Sequence, residues 1–155
     1  MSDLEITILR ATSSEIELAR QALREITLAT SHHRPPLDDA ALAEFLANPR
    51  HYFLLAAERE KVVGSLYGYA LQHPYRRDPQ FFLYGIDVLP ECRNRKIGTA
   101  LVDQFIKEAR LAGAFEVWVL TNESNRAAMS MYAHAGLTRP NPDDAMLNLT
   151  LSVTT

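Results

Sequence analysis

One segment of the chain constrains its fold more than any other, because an apolar strand runs through a short basic turn into a long helix. Residues 83–110 read LYGIDVLPECRNRKIGTALVDQFIKEAR, with Arg93, Arg95 and Lys96 in the turn and Gly98 at the start of the helix. A helix start presents free backbone N–H groups and the positive end of the macrodipole, so this turn predicts an anion site suited to phosphates. Gly98 would let a phosphate approach the backbone closely. A cluster of solvated charges is the alternative interpretation.

Strands and helices alternate on both sides of this segment. Alternating apolar residues predict strands over 4–9 and 146–153, and runs rich in apolar and aromatic residues predict strands over 51–57, 62–71, 81–89 and 114–120, with one more short strand near Leu137. Apolar residues that recur every three or four positions predict helices over 16–29, 97–111 and 124–135. A further short helix is predicted, with Asp38 or Asp39 as its N-cap. Residues 73–80 are predicted to form a loop. The order β-α-α-β-β-β-α-β-α-β predicts an α/β fold, with a mixed sheet and helices on both faces.

Composition limits the classes of protein to which the chain can belong. Its 155 residues suit a single domain spanning 1–155, and its net charge of −3 gives no reason to expect a nucleic-acid partner. The lone cysteine, Cys92, excludes an internal disulfide and a multi-cysteine site, so we expect no metal. We expect no membrane partner, because no apolar run reaches the roughly 18 residues of a spanning helix. The N-terminus lacks the pattern of a signal peptide, which favours the cytoplasm.

Two blocks of residues resemble motifs of the GNAT superfamily of acyl-CoA N-acyltransferases. Residues 93–98 (RNRKIG) are similar to the Arg/Gln-x-x-Gly-x-Gly/Ala signature of motif A, with Lys96 where the family usually has glycine. Residues 121–137 (TNESNRAAMSMYAHAGL) are similar to motif B, whose positions are held here by Asn125, Ala128, Tyr132 and Gly136. The resemblance covers roughly residues 4–153. It implies the GNAT fold, a mostly antiparallel central sheet that is splayed between its fourth and fifth strands.

The resemblance also implies acetyl-CoA as the cosubstrate, bound in the gap between the splayed strands. Backbone groups of Ile86 and Val88 would pair with the pantetheine arm, and the Val88 N–H would polarise the thioester carbonyl. Asn125 would contact the pantetheine, and Tyr132 would protonate the departing CoA thiolate, although a core aromatic is the alternative interpretation of Tyr132. The residues that would hold the pyrophosphate form the turn and the helix start: Arg93, Asn94, Arg95, Lys96, Ile97, Gly98 and Thr99.

Direct transfer to an amine needs a base or water to take a proton from the amine. Candidate bases are Asp87, Tyr84 and His134; Asp87 is a charge in an otherwise apolar strand and would be costly to bury without a partner. His134 is predicted to lie on the surface. Residues 32–33, both histidines, fall in a proline-containing loop and are predicted to be solvated. Cys92 is not needed as a nucleophile when the amine attacks directly.

The acceptor is predicted from a narrower resemblance. From Leu54 to Leu120 the chain looks most like the small aminoglycoside 3-N-acetyltransferases, which carry an aspartate where this chain has Gly85. Asp87 shares that face of the strand by period two and could substitute for it. Further acidic candidates for an acceptor rim attract polycations: Asp38, Asp39, Glu44, Asp78, Asp143 and Asp144.

The sequence therefore predicts an acetyltransferase that acts on a primary amine of a small molecule. An aminoglycoside is the specific acceptor that the narrower resemblance suggests, with antibiotic resistance as the consequence. Transfer to a protein N-terminus or lysine, and a sensor that binds acyl-CoA without catalysis, are the alternatives. We expect a homodimer, because the terminal strand over 146–153 could pair between subunits.

Overall fold

In the computed structural model of the chain, which describes residues 5–30 and 35–151, five strands form one sheet in sequence order. These are β1 (Ile6–Arg10), β2 (His51–Glu58), β3 (Lys61–His73), β4 (Arg76–Val88) and β5 (Glu116–Val119). Neighbours from β1 to β4 are antiparallel, and β5 runs parallel to β4 after a helical crossover. The predicted mixed, mostly antiparallel sheet is confirmed.

Within the described residues, four helices cover this sheet: α1 (Ile16–Thr30), α2 (Asp39–Ala47), α3 (Ile97–Leu111) and α4 (Arg126–His134). Short 3-10 helices precede α1 (Ser13–Glu15) and follow β4 (Pro90–Cys92). The predicted capping box is present before α1, where the Thr12 N–H donates to Glu15 Oε2 at 2.9 Å. Of the two candidate caps for α2, Asp38 is the N-cap, since its side chain accepts the Ala41 N–H at 2.9 Å. Such side-chain caps stabilise a helix by about 1 kcal/mol.

The apolar residues of β2 show that helices lie on both faces of the sheet. Leu54 is fully buried in one cluster with Phe105 of α3, whereas the next residue, Leu55, is buried in a second cluster with Ala22 of α1 and Leu42 of α2. Successive side chains of a strand point to opposite faces, so the two clusters are two separate layers of core. Each fully buried leucine contributes roughly 1.5–3 kcal/mol.

The prediction of a loop over residues 73–80 is wrong, because β3 and β4 extend into this stretch and are joined there as a hairpin. His73 pairs with Arg76, and the Arg76 guanidinium lies 3.8 Å above the ring of Phe115. The Gln80 amide donates to Glu116 Oε1 at 2.7 Å, which ties the hairpin to β5. The two prolines and the charges of this stretch indicate a loop locally, but pairing between the strands overrides that preference.

The terminal strand predicted over 146–153 is also not found in the described part, which ends at residue 151. Residues 146–151 adopt no strand, and the side chains of Leu147, Leu149 and Leu151 are 80–92% exposed. Alternating residues favour a strand, but a strand also needs a neighbour to pair with its backbone, and no described strand lies beside these residues. No strand occurs near Leu137 within the described residues either.

The remaining boundaries differ from the predicted ones by one or two residues, as helix and strand ends commonly do. The predicted strand over 114–120 is Glu116–Val119, and the predicted helix over 124–135 is Arg126–His134. A search of the described residues finds no helix whose length and hydropathy would allow it to span a membrane.

Candidate active site

A gap opens beside β4 where its partner β5 stops. The two strands pair from Gln80 with Glu116 to Leu83 with Val119, and β4 then runs on to Val88 with no described strand on that edge. The register of β3 and β4 shifts at the same point, since Gly68 pairs with Leu83 whereas the preceding residue, Tyr67, pairs with Gly85. The extra residue is Tyr84, so β4 bulges as it leaves β5, and a bulge bends its strand. The predicted splay is confirmed.

Backbone polar groups of β4 line this gap. The Leu89 N–H donates to the Val63 carbonyl of β3 at 2.9 Å. Backbone groups of successive residues point to opposite edges of a strand, so those of Val88 and Ile86 face away from β3, into the gap. The Arg93 side chain donates to the Val88 carbonyl there, with its Nε at 3.3 Å. Ile86 and Val88 thus present the groups that an amide-containing arm such as pantetheine would need.

The turn after β4 shapes the end of the gap for an anion. Asn94 and Lys96 both have left-handed backbone conformations, with φ of 63° and 61°. Lys96 is the N-cap of α3, yet no side chain caps the helix and its first turn holds no acidic residue. The N–H groups of Ile97, Gly98 and Thr99 have no acceptor within the helix, which suits a phosphate. A left-handed lysine costs roughly 1–2 kcal/mol, a cost that the usual glycine avoids.

The basic side chains of the turn differ in how available they are to bind a pyrophosphate. The Arg95 guanidinium contacts both carboxylate oxygens of Glu58, at 2.6 and 3.4 Å. This hydrogen bond is the main reason that the pKa of Glu58 is lowered and that the pKa of Arg95 is raised. A pyrophosphate would therefore compete with Glu58 for Arg95. Arg93 and Lys96 are exposed and make no ion pair within the described residues, so they are the stronger candidates.

Gly98 lies where α3 packs closely against α4, a reason for glycine that differs from the predicted one. A Cβ at this position would lie 2.9 Å from the Met131 sulfur of α4, closer than real Cβ atoms come to such neighbours. The missing side chain thus points towards α4, and the glycine lets α3 and α4 approach each other. The phosphate-binding role of the backbone N–H of Gly98 stays a prediction.

Tyr132 and Asn125 of the second motif have structural roles in α4. The Tyr132 side chain is 7% exposed and belongs to the core cluster that also holds Ile97 and Leu101. Burial raises the pKa of the Tyr132 phenol, so the phenol is protonated at neutral pH and can donate a hydrogen bond. Asn125 caps α4 by accepting the Ala128 N–H at 3.1 Å. The contact of Asn125 with pantetheine stays a prediction.

On the opposite side of β4, between the sheet and helices α1 and α2, lies a pocket of about 570 Å³. Its walls are mostly apolar and aromatic. Leu23 and Ile26 come from α1 and Phe45 from α2, while Tyr67 and Tyr84 come from the sheet. Asp87 is the one charged residue among the described residues that line it. Ile86 also lines this pocket, so the pocket and the gap meet at Ile86 and Asp87.

Sequence reasoning missed the β3 side of this pocket. Ser65 pairs with Asp87 across the strands and is 6% exposed. A Cβ at Gly85 would lie 2.6 Å from the ring of Tyr67, so that ring occupies the space of a side chain at position 85. Burial is the main cause that raises the pKa of Tyr67 to about 12. Both residues stand in a predicted strand, but the bulge sets their register against β4, and no sequence pattern reveals it.

The other predicted acids lie outside the pocket. Asp38 caps α2, and Asp39 and Asp78 form ion pairs with Arg20 and Arg76 at 2.7 and 3.2 Å. Asp143 and Asp144 form an exposed turn, in which the Asp143 N–H donates to the Asn141 side chain at 3.0 Å. Glu44 is exposed on α2. The acidic rim is thus absent from the described lining, because local caps and ion pairs hold several of these carboxylates elsewhere.

The remaining candidates divide between the pocket and the surface. Tyr84 lines the pocket but is 58% exposed, and its ring packs 5.3 Å from that of Tyr67. His134 is exposed, as predicted, and Cys92 is buried in the core. His32 and His33 lie outside the described residues.

Comparison with known proteins identifies the family. The profile of the acetyltransferase (GNAT) family matches residues 17–137. The chain belongs to this family, which is a family of acetyl-CoA-dependent acetyltransferases. No curated protein matches the sequence.

Solved structures with the same fold include several aminoglycoside acetyltransferases. One, meta-AAC0020 from an uncultured soil metagenomic sample in complex with trehalose, has a TM-score of 0.85 at 21% identity, over 95% of this chain and 97% of that chain. AAC(6')-Iy with a bisubstrate analogue, CoA-S-monomethyl-acetylneamine, has a TM-score of 0.71 at 20% identity, over 94% of this chain and 99% of that chain. A ribosomal-protein-alanine N-acetyltransferase from Brucella melitensis has a TM-score of 0.69 at 15% identity, over 93% of this chain and 99% of that chain. At these identities the likeness shows the fold.

Proposed function

We propose that the chain transfers an acetyl group from acetyl-CoA directly to a primary amine of a small molecule. The observation that carries this proposal is the arrangement around residues 86–88 of β4. Backbone groups of Ile86 and Val88 face the gap, which leads to the uncapped start of α3, and Asp87 faces the pocket on the other side. A thioester in the gap and an amine in the pocket would meet at this point.

The proton balance assigns a role to Asp87. An ammonium group carries three protons and the amide product keeps one, so one proton leaves to solvent and one ends on the CoA sulfur. The carboxylate of Asp87 would orient the ammonium, take its first proton and pass that proton to water. The neutral nitrogen then attacks the thioester carbon, a C–N bond forms, and the C–S bond breaks. The Val88 N–H would hydrogen-bond the carbonyl oxygen as negative charge develops on it.

Tyr132 would act on the leaving group. Its raised pKa keeps the phenol protonated, so it is a hydrogen-bond donor to the departing sulfur at neutral pH. Tyr132 would give its proton to the departing CoA sulfur, and the second amine proton would return to the Tyr132 oxygen, so that the thiol forms and the phenol is restored. Tyr84, exposed at the rim of the pocket, is the alternative route for the amine proton.

Two acceptor classes have specific support. Aminoglycosides are supported by the acetyltransferases of that class among the similar folds, and acetylation at the 3-amino group follows from the sequence resemblance. A protein or peptide amine is supported by the ribosomal-protein-alanine acetyltransferase fold. A sensor without catalysis is the third reading, and the retained, buried Tyr132 argues against it. The composition favours the cytoplasm as the site of the reaction.

Release of free thiol from acetyl-CoA tests the proposal against a panel of small amines, aminoglycosides and peptides. We expect turnover with at least one small amine, and a Tyr132→Phe variant that is at least about tenfold slower while it still binds acetyl-CoA. Tyr75→Phe is the matched control, because Tyr75 is 90% exposed and lies in the β3–β4 turn. Turnover with peptides alone contradicts a small-molecule acceptor. Tight CoA binding without turnover supports the sensor instead.

We also expect a homodimer. Leu147, Leu149 and Leu151 are exposed in a row of alternating residues, a pattern that a second subunit could pair with and cover. Light scattering of the purified chain distinguishes the dimer from a monomer, and Leu149→Asp should shift the population towards monomer.

A further inference from the structure

The turn between β4 and α3 combines an exposed surface with an unfavourable backbone. Cys92 and Ile97 are buried in the core, whereas residues 93–96 between them are exposed. Two of these exposed residues, Asn94 and Lys96, have φ of 63° and 61°. A residue other than glycine adopts this left-handed region at a cost in free energy, so the conformation persists only where surrounding contacts hold it. The turn therefore needs a contact that holds it.

An ion pair with the sheet supplies such a contact at the midpoint of the turn. Arg95 lies between the two left-handed residues, and its guanidinium donates to both carboxylate oxygens of Glu58, at 2.6 and 3.4 Å. Two N–H···O bonds from one guanidinium fix the orientation of the side chain as well as its distance. The position of Arg95, and with it the backbone on either side, is thus tied to Glu58.

Glu58 is a well-fixed partner, because it belongs to the sheet. It is the last residue of β2, and it pairs with Ile6 of β1 on one side and with Lys61 of β3 on the other. The Glu58 side chain is 15% exposed, whereas that of Arg95 is 38% exposed. Solvent therefore weakens the pair, and its effect on binding should be several-fold and no larger.

The conformation that the pair holds is one that an anion needs. A left-handed residue followed by helical residues directs successive backbone N–H groups towards one point, an arrangement that binds anions. Lys96 is left-handed, and α3 begins at the next residue, Ile97. If residue 96 rotated out of this region to relieve its strain, the N–H groups at the helix start would no longer converge.

We propose that Glu58 is a positioning residue for the pyrophosphate of acetyl-CoA. Through Arg95 it holds the turn in the conformation that presents backbone N–H groups to the phosphates. Arg95 stays paired with Glu58 when acetyl-CoA binds, so Arg93 and the backbone N–H groups make the phosphate contacts. This inference rests on the proposed function, since acetyl-CoA is the ligand that brings a pyrophosphate to the turn.

The first experiment measures the Kd of CoA by calorimetry in Glu58→Gln. This variant keeps the size of the side chain and removes its charge, so we expect the Kd to rise about three- to fivefold, the upper range for a partly exposed ion pair. Glu60→Gln removes the same charge from an exposed position nearby and should leave the Kd unchanged. A lower Kd in Glu58→Gln means that the freed Arg95 binds the pyrophosphate itself, which overturns the inference. An unchanged Kd overturns it as well.

A donor without phosphates separates a positioning role from a general structural one. S-acetylpantetheine carries the same thioester and arm as acetyl-CoA but no pyrophosphate. The ratio of kcat/KM for acetyl-CoA to kcat/KM for S-acetylpantetheine should fall about three- to fivefold in Glu58→Gln. An equal loss with both donors overturns the inference and leaves the proposed function standing. If the natural chain neither binds CoA nor releases thiol with any amine, the proposed function fails, and this inference with it.

A double-mutant cycle tests whether Glu58 acts through the backbone of the turn. In Lys96→Gly the left-handed conformation is open to residue 96 without strain, so it needs less support. Glu58→Gln added to Lys96→Gly should therefore raise the Kd of CoA by less than about twofold. The Tm of each variant distinguishes loss of fold from loss of binding. The same three- to fivefold rise in both backgrounds contradicts the assignment.

Discussion

The two sides of β4 recognise their proposed ligands by different means. On the gap side, backbone groups of Ile86 and Val88 and the start of α3 are presented, and side chains contribute mainly positive charge. On the pocket side, rings and aliphatic side chains surround one carboxylate, Asp87. A site made of backbone depends on a few consecutive residues that shape a turn, whereas a site made of side chains depends on residues brought together by the whole fold. The variants below separate the two sides.

The largest effect is expected on the pocket side, from Asp87→Asn. Removal of one partner from a buried charged pair typically costs about 2–5 kcal/mol, so kcat/KM for the amine should fall by roughly a hundredfold. The acetyl-CoA Kd should stay unchanged, because the Asp87 side chain faces the pocket. Steady-state kinetics and calorimetry measure the two quantities, with the exposed Asp103→Asn on α3 as control. An equal loss in acetyl-CoA affinity would show that the two sides are not separate.

The corresponding change on the gap side is Arg93→Glu. Reversal of this charge should raise the CoA Kd by about tenfold, since a charged hydrogen bond contributes about 1.5–3 kcal/mol. The amine KM at saturating acetyl-CoA should not change. Lys107→Glu makes the same change of charge on an exposed part of α3 and should leave the CoA Kd as it is. If both variants weaken CoA equally, the effect is one of overall charge and the turn has no special role.

A smaller effect is expected from Gly98→Ala, which tests the packing behind the turn. The new Cβ would lie 2.9 Å from the Met131 sulfur, and because the methionine side chain can shift, the cost should lie at the lower end of the about 1–3 kcal/mol typical of overpacking. The Tm should fall by about 2–4 °C, because 1 kcal/mol corresponds to a shift of that size in a chain of this length. In a double-mutant cycle with Met131→Ala, the glycine substitution should cost less than it does alone. If the losses in Tm of the two single variants simply add in the double variant, Met131 is not the residue that clashes with the new Cβ.

The smallest effect is a dependence of stability on alkaline pH that originates in the pocket. The pKa of Tyr67 is raised to about 12 in the folded chain and is about 10 when unfolded. Below pH 10 both states keep the proton, and above it the unfolded chain loses the proton first. The free energy of unfolding should therefore fall between pH 10 and about 12. Urea denaturation at a series of pH values measures this, and an equally steep fall in Tyr67→Phe would contradict it.

The difference between the two sides also explains which features could be predicted. The turn at residues 93–98 and its position between strand and helix are local, so the sequence is sufficient to predict them. Lys96 adopts a left-handed conformation, which a glycine adopts more readily than a lysine. The pocket could not be predicted in the same way. Whether Tyr67 lies over Gly85 depends on the bulge at Tyr84, and the availability of Asp39 depends on Arg20 in another helix.

The errors in the fold have a related cause. Residues 73–80 carry local loop signals but pair across the hairpin, and residues 146–151 alternate like a strand but find no described neighbour to pair with. Strand formation depends on a partner as well as on a pattern, and a single segment does not reveal its partner.

The most direct test is a crystal structure of the chain with CoA and the small amine that gives the highest kcat/KM in the thiol-release panel. We predict the pantetheine arm in the gap beside Ile86 and Val88, with the pyrophosphate at the start of α3. We predict the amino group within hydrogen-bonding distance of the Asp87 carboxylate, in the pocket on the opposite side of β4. A structure in which the amine binds outside the pocket, or in which CoA occupies the pocket between α1, α2 and the sheet, would contradict these predictions.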